Sequence, residues 1–253
     1  MAYLISELGP PKGFHPISST TIYLPGIHKA YEFCSLYIHH TLPPLVFVDT
    51  HELAQRNESY TFSHWGSRDL EKPVHALPDK VSELLLNVRF PNLETQTGHP
   101  LNEGQEEGRT VQVDVPMHLR YGSPRTASSS SSEEDQTGAY ERIRVDWPQG
   151  FLSCPPSSRA ITKNKAKSVS LPKHVLSVLP SDNVLVAIPP HSDFANTSTV
   201  LYLPLGNTRD VAFVEPLTAL TILACCFWLF RVANKTARRL NANAQPTQRP
   251  KTS

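Results

Sequence analysis

The sequence predicts a mainly β protein, an antiparallel β-sandwich lumenal domain followed by one C-terminal transmembrane α-helix. Three observations predict it. Residues 211–230 (VAFVEPLTALTILACCFWLF) are an almost unbroken apolar run of the length an α-helix needs to cross a bilayer. Residues 110–121 (TVQVDVPMHLRY) alternate apolar and polar with a period of two, the pattern of a half-buried strand. The chain also carries 23 prolines in 253 residues, which cut the rest into runs too short for long helices.

Taken in order, residues 1–210 are expected to form the β-rich domain, 211–230 the span and 231–253 a basic cytoplasmic tail. Short β-branched or aromatic runs bounded by Pro, Gly or Asn place strands at 20–24, 32–39, 45–48, 59–63 and 84–90. Asp49-Thr50-His51-Glu52 opens a helical turn through Arg56, with Asp49 capping the exposed amides and Glu52 reaching back three residues later. In 110–121 the odd positions Val111, Val113, Val115, Met117, Leu119 and Tyr121 are assigned to the core. Gln112, Asp114, Pro116, His118 and Arg120 take the outward face. Pro116 lacks a ladder donor and belongs on an edge or at a bulge. Further strands are expected at 140–146, 175–179, 183–188 and 199–205. Polar insertions near 98–108 and 122–138, the second rich in serine and acid, are expected as surface excursions of one domain.

The residues after the apolar run carry Arg231, Lys235, Arg238, Arg239, Arg249 and Lys251 and no acid, so the charge bias puts them in the cytoplasm and the large domain across the membrane. Glu215 and Pro216 are expected in the first turn of the span, at headgroup level. Residues 1–11 (MAYLISELGPP) lack the basic and apolar regions of a signal peptide. Translocation is therefore expected from a leader upstream of this start or without a cleavable one; the alternative is a tail-anchored adaptor with a cytosolic domain. Asn57-Glu58-Ser59 and Asn196-Thr197-Ser198 are glycan acceptor sequences on the expected lumenal side, whereas Asn234-Lys235-Thr236 lies beyond the span and should stay unmodified. Cys225 and Cys226 fall in the span. Cys34 and Cys154 are left either to pair in an oxidising lumen or to remain two buried thiols, and spacing does not decide between them.

Several function classes find no support. A net charge of +1 without a basic stripe gives no reason to expect nucleic acid. His51-Glu52 begins like a zinc-protease motif, but Gln55 stands where the second histidine belongs. No P-loop, nucleophile elbow or dinucleotide fingerprint occurs, and His39-His40 has no acid at ligand spacing. No catalytic residue, cofactor or metal ligand is therefore expected.

Four blocks do carry a resemblance. Gly13-Phe14-His15-Pro16, residues 42–53 (LPPLVFVDTHEL), residues 115–121 (VPMHLRY) and the apolar span occur in the order seen in the PIG-X/Pbn1 family, which the sequence resembles. The resemblance implies a non-catalytic, glycosylated type I protein of the endoplasmic reticulum membrane. It implies a subunit of glycosylphosphatidylinositol mannosyltransferase I that stabilises the polytopic catalytic subunit of the PIG-M type. That enzyme adds the first α1,4-linked mannose to glucosaminyl-phosphatidylinositol from dolichol-phosphate-mannose. A general chaperone-like role in the lumen is the alternative. The expected partner-contact residues are His118 and Arg120, with Tyr121 anchoring them from the core side and Asp49 and Glu52 in the adjoining turn.

Overall fold

The computed structural model describes residues 2–25, 33–67, 80–89, 108–124, 140–156 and 169–244. They belong to two units, a β domain and a C-terminal helix. In chain order the domain begins β1 (Tyr3–Gly9), β2 (Ile17–Pro25), β3 (Ser35–Leu42), β4 (Val46–Phe47), α1 (Thr50–Ala54), β5 (Tyr60–Trp65) and β6 (Ser82–Val88). It continues with β7 (Gly108–Pro116), β8 (His118–Leu119), β9 (Tyr140–Asp146), β10 (Gln149–Cys154), α2 (Lys173–Leu176), β11 (Val184–Ile188) and β12 (Ser198–Pro204).

Two antiparallel sheets enclose the main core. One has the order β1-β2-β7 and the other β11-β10-β3-β6-β5, with the pairs β9-β12 and β4-β8 beside them. Because side chains alternate across a strand, Leu4, Ile22, Leu24, Val111, Val113 and Val115 of the first sheet turn inward. They share one cluster with Leu36, Ile38, Leu84, Leu86, Leu152 and Val186 of the second. This is the expected sandwich. The five-stranded sheet is also covered on its other face, where Tyr37, Leu85 and Phe151 pack with Val175 and Leu179. That double burial explains why β3 is buried at nearly every position.

The covering segment corrects an expectation. Residues 175–179, assigned to a strand, begin in α2. Val175 and Leu179 are four apart and both buried, while Leu176 and Val178 between them are exposed, which is the helical period. Pro172 stands at the N-cap with extended backbone and makes no side-chain cap, its ring-fixed φ being compatible with that position. The strand expected across 110–121 is also divided. It ends at Pro116, on the open edge of the three-stranded sheet, and resumes as β8 after Met117. β1 and β10 are additional strands. The polar insertions lie mostly outside the described residues, as do Glu32 and Phe90 at the ends of two expected strands.

Strand register brings the two cysteines together. β3 and β10 pair with Ser35 opposite Ser153, so Cys34 and Cys154 face each other at the end of the ladder. Their Cα atoms are 4.3 Å apart and they form a disulfide, at the close spacing of a directly opposed, non-hydrogen-bonded pair.

The second unit is α3 (Thr208–Ala244), a helix of 37 residues. At 1.5 Å per residue it is about 55 Å long, well beyond the ~30 Å of a bilayer's hydrocarbon core. It contains the expected run 211–230 and is long and apolar enough to cross a membrane. It also continues through Arg231, Lys235, Arg238 and Arg239, so the first part of the expected tail is helical; Arg249 and Lys251 lie outside the described residues. Because the helix begins at Thr208, Glu215 and Pro216 sit well inside it, not in its first turn. Thr218 and Thr221 return their hydroxyls to the carbonyls of Val214 and Leu217 at 2.7 and 2.8 Å, so neither presents an unpaired hydroxyl along this apolar stretch.

Candidate functional site

Three segments distant in the chain converge at one edge of the domain. Gly13 holds φ at +116°, a conformation that favours glycine, and starts the turn that delivers Phe14, His15 and Pro16. Past Pro116 the backbone stays beside this segment: Met117 N–H donates to the Pro16 carbonyl at 2.9 Å and Leu119 N–H to that of Phe14 at 2.8 Å. On its other side β8 pairs with β4, Val46 opposite Leu119 and Phe47 opposite His118. Arg120 N–H then donates to the Leu45 carbonyl at 2.9 Å. Two residues after β4, Asp49 forms the N-cap of α1, its Oδ1 accepting from the His51 N–H at 2.8 Å. Leu53, fully buried, pins the helical turn to the core.

His118 is the centre of the arrangement. Its Nε2 lies 2.8 Å from Glu52 Oε2 and its Nδ1 lies 2.9 Å from His15 Nδ1. The ring stacks on Phe47 with centroids 5.3 Å apart and meets His15 edge-on at 5.0 Å. In the histidine pair one Nδ1 must donate and the other accept, so the tautomers are linked. Both nitrogens of His118 are therefore engaged, which fixes the orientation of its ring. The Arg120 guanidinium covers the Phe47 ring with Cζ 4.5 Å from its centroid, a favourable cation–π placement. Tyr121 lies against Phe14 at 4.9 Å, and 78% of its surface is exposed.

These positions revise the sequence-based assignment. Arg120, expected on the outward face, is 6% exposed, while Tyr121, expected to anchor from the core, points to solvent. β8 ends at Leu119, so strand alternation no longer governs the residues after it. The Glu52 carboxylate, expected to reach back to the cap, meets His118 instead. Phe14, His15 and Phe47 were inside the motif blocks but carried no chemistry by themselves; only the tertiary contacts single them out. Asn57 is exposed in the turn after α1, and Asn196 is exposed in the loop before β12.

A second polar cluster lies under α2. His39 Nε2 and His174 Nε2 approach the same Glu83 Oε2, at 2.9 and 3.2 Å, and Trp65 meets the His174 ring at 5.2 Å. The acid missing beside His39 in sequence is thus supplied by β6. Burial pushes His39 below its ordinary value although Glu83 pulls the other way. His40, on the opposite face in the main core, is pushed down to about 3 by burial first and by His39 second. Among the described residues no group of three or more His, Cys, Asp or Glu side chains is arranged to hold a metal ion.

The described residues define a class: β-sandwich proteins followed in sequence by a helix long and apolar enough to cross a membrane. Within it the chain belongs to the PIG-X / PBN1 family, whose model matches residues 11–233, a range that contains all three converging segments. The chain is similar to the protein pbn1 of Neurospora crassa, 30% identical over 157 residues that make up 59% of this chain and 26% of that protein. It is 27% identical over 125 residues to the protein pbn1 of Schizosaccharomyces pombe, covering 47% of this chain and 34% of the relative. With that of Emericella nidulans the identity is 25% over 157 residues, 57% of this chain and 26% of the other. The chain thus spans about a quarter to a third of the length of these relatives.

Proposed function

We propose that this chain is a non-catalytic subunit of glycosylphosphatidylinositol mannosyltransferase I that stabilises the PIG-M-type catalytic subunit during addition of the first α1,4-linked mannose. In this reading residues 1–210 form a lumenal domain, 211–230 cross the endoplasmic reticulum membrane and 231–253 face the cytoplasm. Asn57 and Asn196 carry glycans.

The observation that supports it best is the convergence of residues 13–16, 42–53 and 115–121 on one cluster that presents an exposed Tyr121 beside a braced His118. A histidine held by Glu52 on one nitrogen and His15 on the other keeps a fixed orientation, as a recognition surface requires. An exposed tyrosine backed by a rigid phenylalanine offers a low-entropy anchor for a partner surface. Arg120, Asp49 and Glu52 hold that surface in shape.

A partner that binds only the folded catalytic subunit stabilises it by mass action. At a concentration one hundred times the dissociation constant the gain is about 2.7 kcal/mol, enough to decide whether a marginal multispanning protein persists. The test is co-purification of the catalytic subunit from mild detergent with the wild type and with Tyr121→Ser, whose exposed position spares the core. Recovery should fall at least several-fold for Tyr121→Ser with the domain still folded. Equal recovery would remove this surface from the interface.

A further inference from the structure

The loop between β11 and β12 carries a feature the partner surface does not use. Phe194 is an apolar ring 41% exposed to solvent. It is backed by Trp147, with ring centroids 5.3 Å apart, and flanked by His191 at 6.4 Å. Trp147 packs on the main core, and its backbone N–H donates to the Thr197 carbonyl at 2.8 Å. The backbone that carries the Trp147 ring is therefore joined directly to the backbone of the Asn196-Thr197-Ser198 triplet. Two residues after Phe194, Asn196 is exposed, and its Oδ1 accepts the Ser198 hydroxyl at 2.9 Å. That bond occupies the amide oxygen and leaves Nδ2, the atom that takes a sugar, outside it.

From this juxtaposition we infer that Asn196 carries an N-linked glycan whose first N-acetylglucosamine lies on the Phe194–Trp147 ring pair, and that this contact steadies the loop at 189–197. Attachment forms the Nδ2–C1 bond as the C1–oxygen bond to a lipid-pyrophosphate donor breaks, and one Nδ2 proton leaves. The sugar then offers the aromatic pair an apolar face of C–H groups and an acetyl methyl, the cover that a half-exposed phenylalanine lacks. At the other acceptor, Asn57, the residue two positions earlier is Gln55, which offers no ring. The inference rests on the lumenal placement proposed above.

The experiment uses the full chain made in cells with a working secretory pathway, carrying Asn57→Gln so that only Asn196 is read. Endoglycosidase H leaves the first N-acetylglucosamine in place; a peptide amidase removes the whole glycan. Limited proteolysis of the native protein reports opening of the loop. Endoglycosidase-trimmed protein should resist like the untrimmed form, and fully deglycosylated protein should be cut about two- to tenfold faster, the factor an aromatic contact supplies. Phe194→Ser should remain glycosylated yet lose that difference. Equal cleavage of the trimmed and fully deglycosylated forms would overturn the inference, as would an unmodified Asn196 in the wild-type chain made alongside when its Asn57 is modified. If neither asparagine of the wild-type chain is modified and the domain is open to protease from the cytosolic side, the lumenal placement itself falls, and the inference with it.

Discussion

Glu52 and His118, 66 residues apart in the chain, meet with Oε2 2.8 Å from Nε2 and tie the single turn of α1 to β8. The contact joins two of the segments by which the family is recognised and fixes the ring that Phe47 and His15 brace. Both side chains are partly exposed, so solvent weakens their attraction. A double-mutant cycle with Glu52→Gln and His118→Asn should give a coupling of about 0.5–1 kcal/mol in urea unfolding at neutral pH. Additive losses would show that the pair does not hold the cluster.

The Cys34–Cys154 bridge closes a loop of 120 residues in sequence separation. Cys34→Ser should lower stability by about 2–5 kcal/mol, and Cys154→Ser by a similar amount, because each removes the same constraint on the unfolded chain. Non-reducing electrophoresis of the wild type should show a faster band that reductant abolishes. Failure to see that shift would mean the thiols are unpaired in cells.

Tyr60 is 1% exposed, and its hydroxyl has no hydrogen-bond partner among the described residues. Burial first, with Glu52 and Asp114 adding to it against Arg56, pushes the phenol up to about 12. Removing a buried hydroxyl without a partner relieves its desolvation cost, so Tyr60→Phe should leave stability unchanged or raise it by about 1 kcal/mol. A loss of 2 kcal/mol or more in the urea midpoint would reveal a partner for that hydroxyl.

His40 makes the domain acid-sensitive. The folded-state value of about 3 lies below the ordinary 6.5. Between those limits the unfolded chain binds the extra proton, so the contribution of His40 is present above about pH 6.5 and is lost as pH falls toward 3. His40→Leu should flatten the decline in stability between pH 6.5 and 4.5 by about one proton's slope. An unchanged slope would assign the acid lability to other groups.

The division between what the sequence discloses and what it hides follows the range of the interactions. Alternation from Val111 to Val115 is legible because each residue's face is set by its immediate neighbours, whereas Pro116, expected outward, is buried where β7 ends. It fails at Arg120 and Tyr121 because the chain leaves β8 there, and a turn has no period. The Val-Leu-Ser-Val-Leu stretch beginning at Val175 fits a strand or a helix equally well, and only burial against the five-stranded sheet decides for α2. β1 is hidden because its inward positions include Ser6 beside Leu4, and the buried serine is satisfied across the sheet by Thr20 at 3.2 Å. The His118 cluster depends on β8 lying between residues 14–16 and β4, and the Cys34–Cys154 bond on the register of β3 and β10. Neither pairing is encoded locally. The motif residues were legible as a set; their common location was not.

The central claim, that this chain stabilises a transferase without doing its chemistry, is tested most directly by rapid depletion of the chain from cells. The two quantities to follow are the amount of the PIG-M-type catalytic subunit and first-mannose transfer to glucosaminyl-phosphatidylinositol in isolated membranes. Both should fall together, with transfer per remaining catalytic subunit unchanged. An undiminished catalytic subunit that has lost its transfer activity would contradict the account and assign this chain a part in the reaction itself.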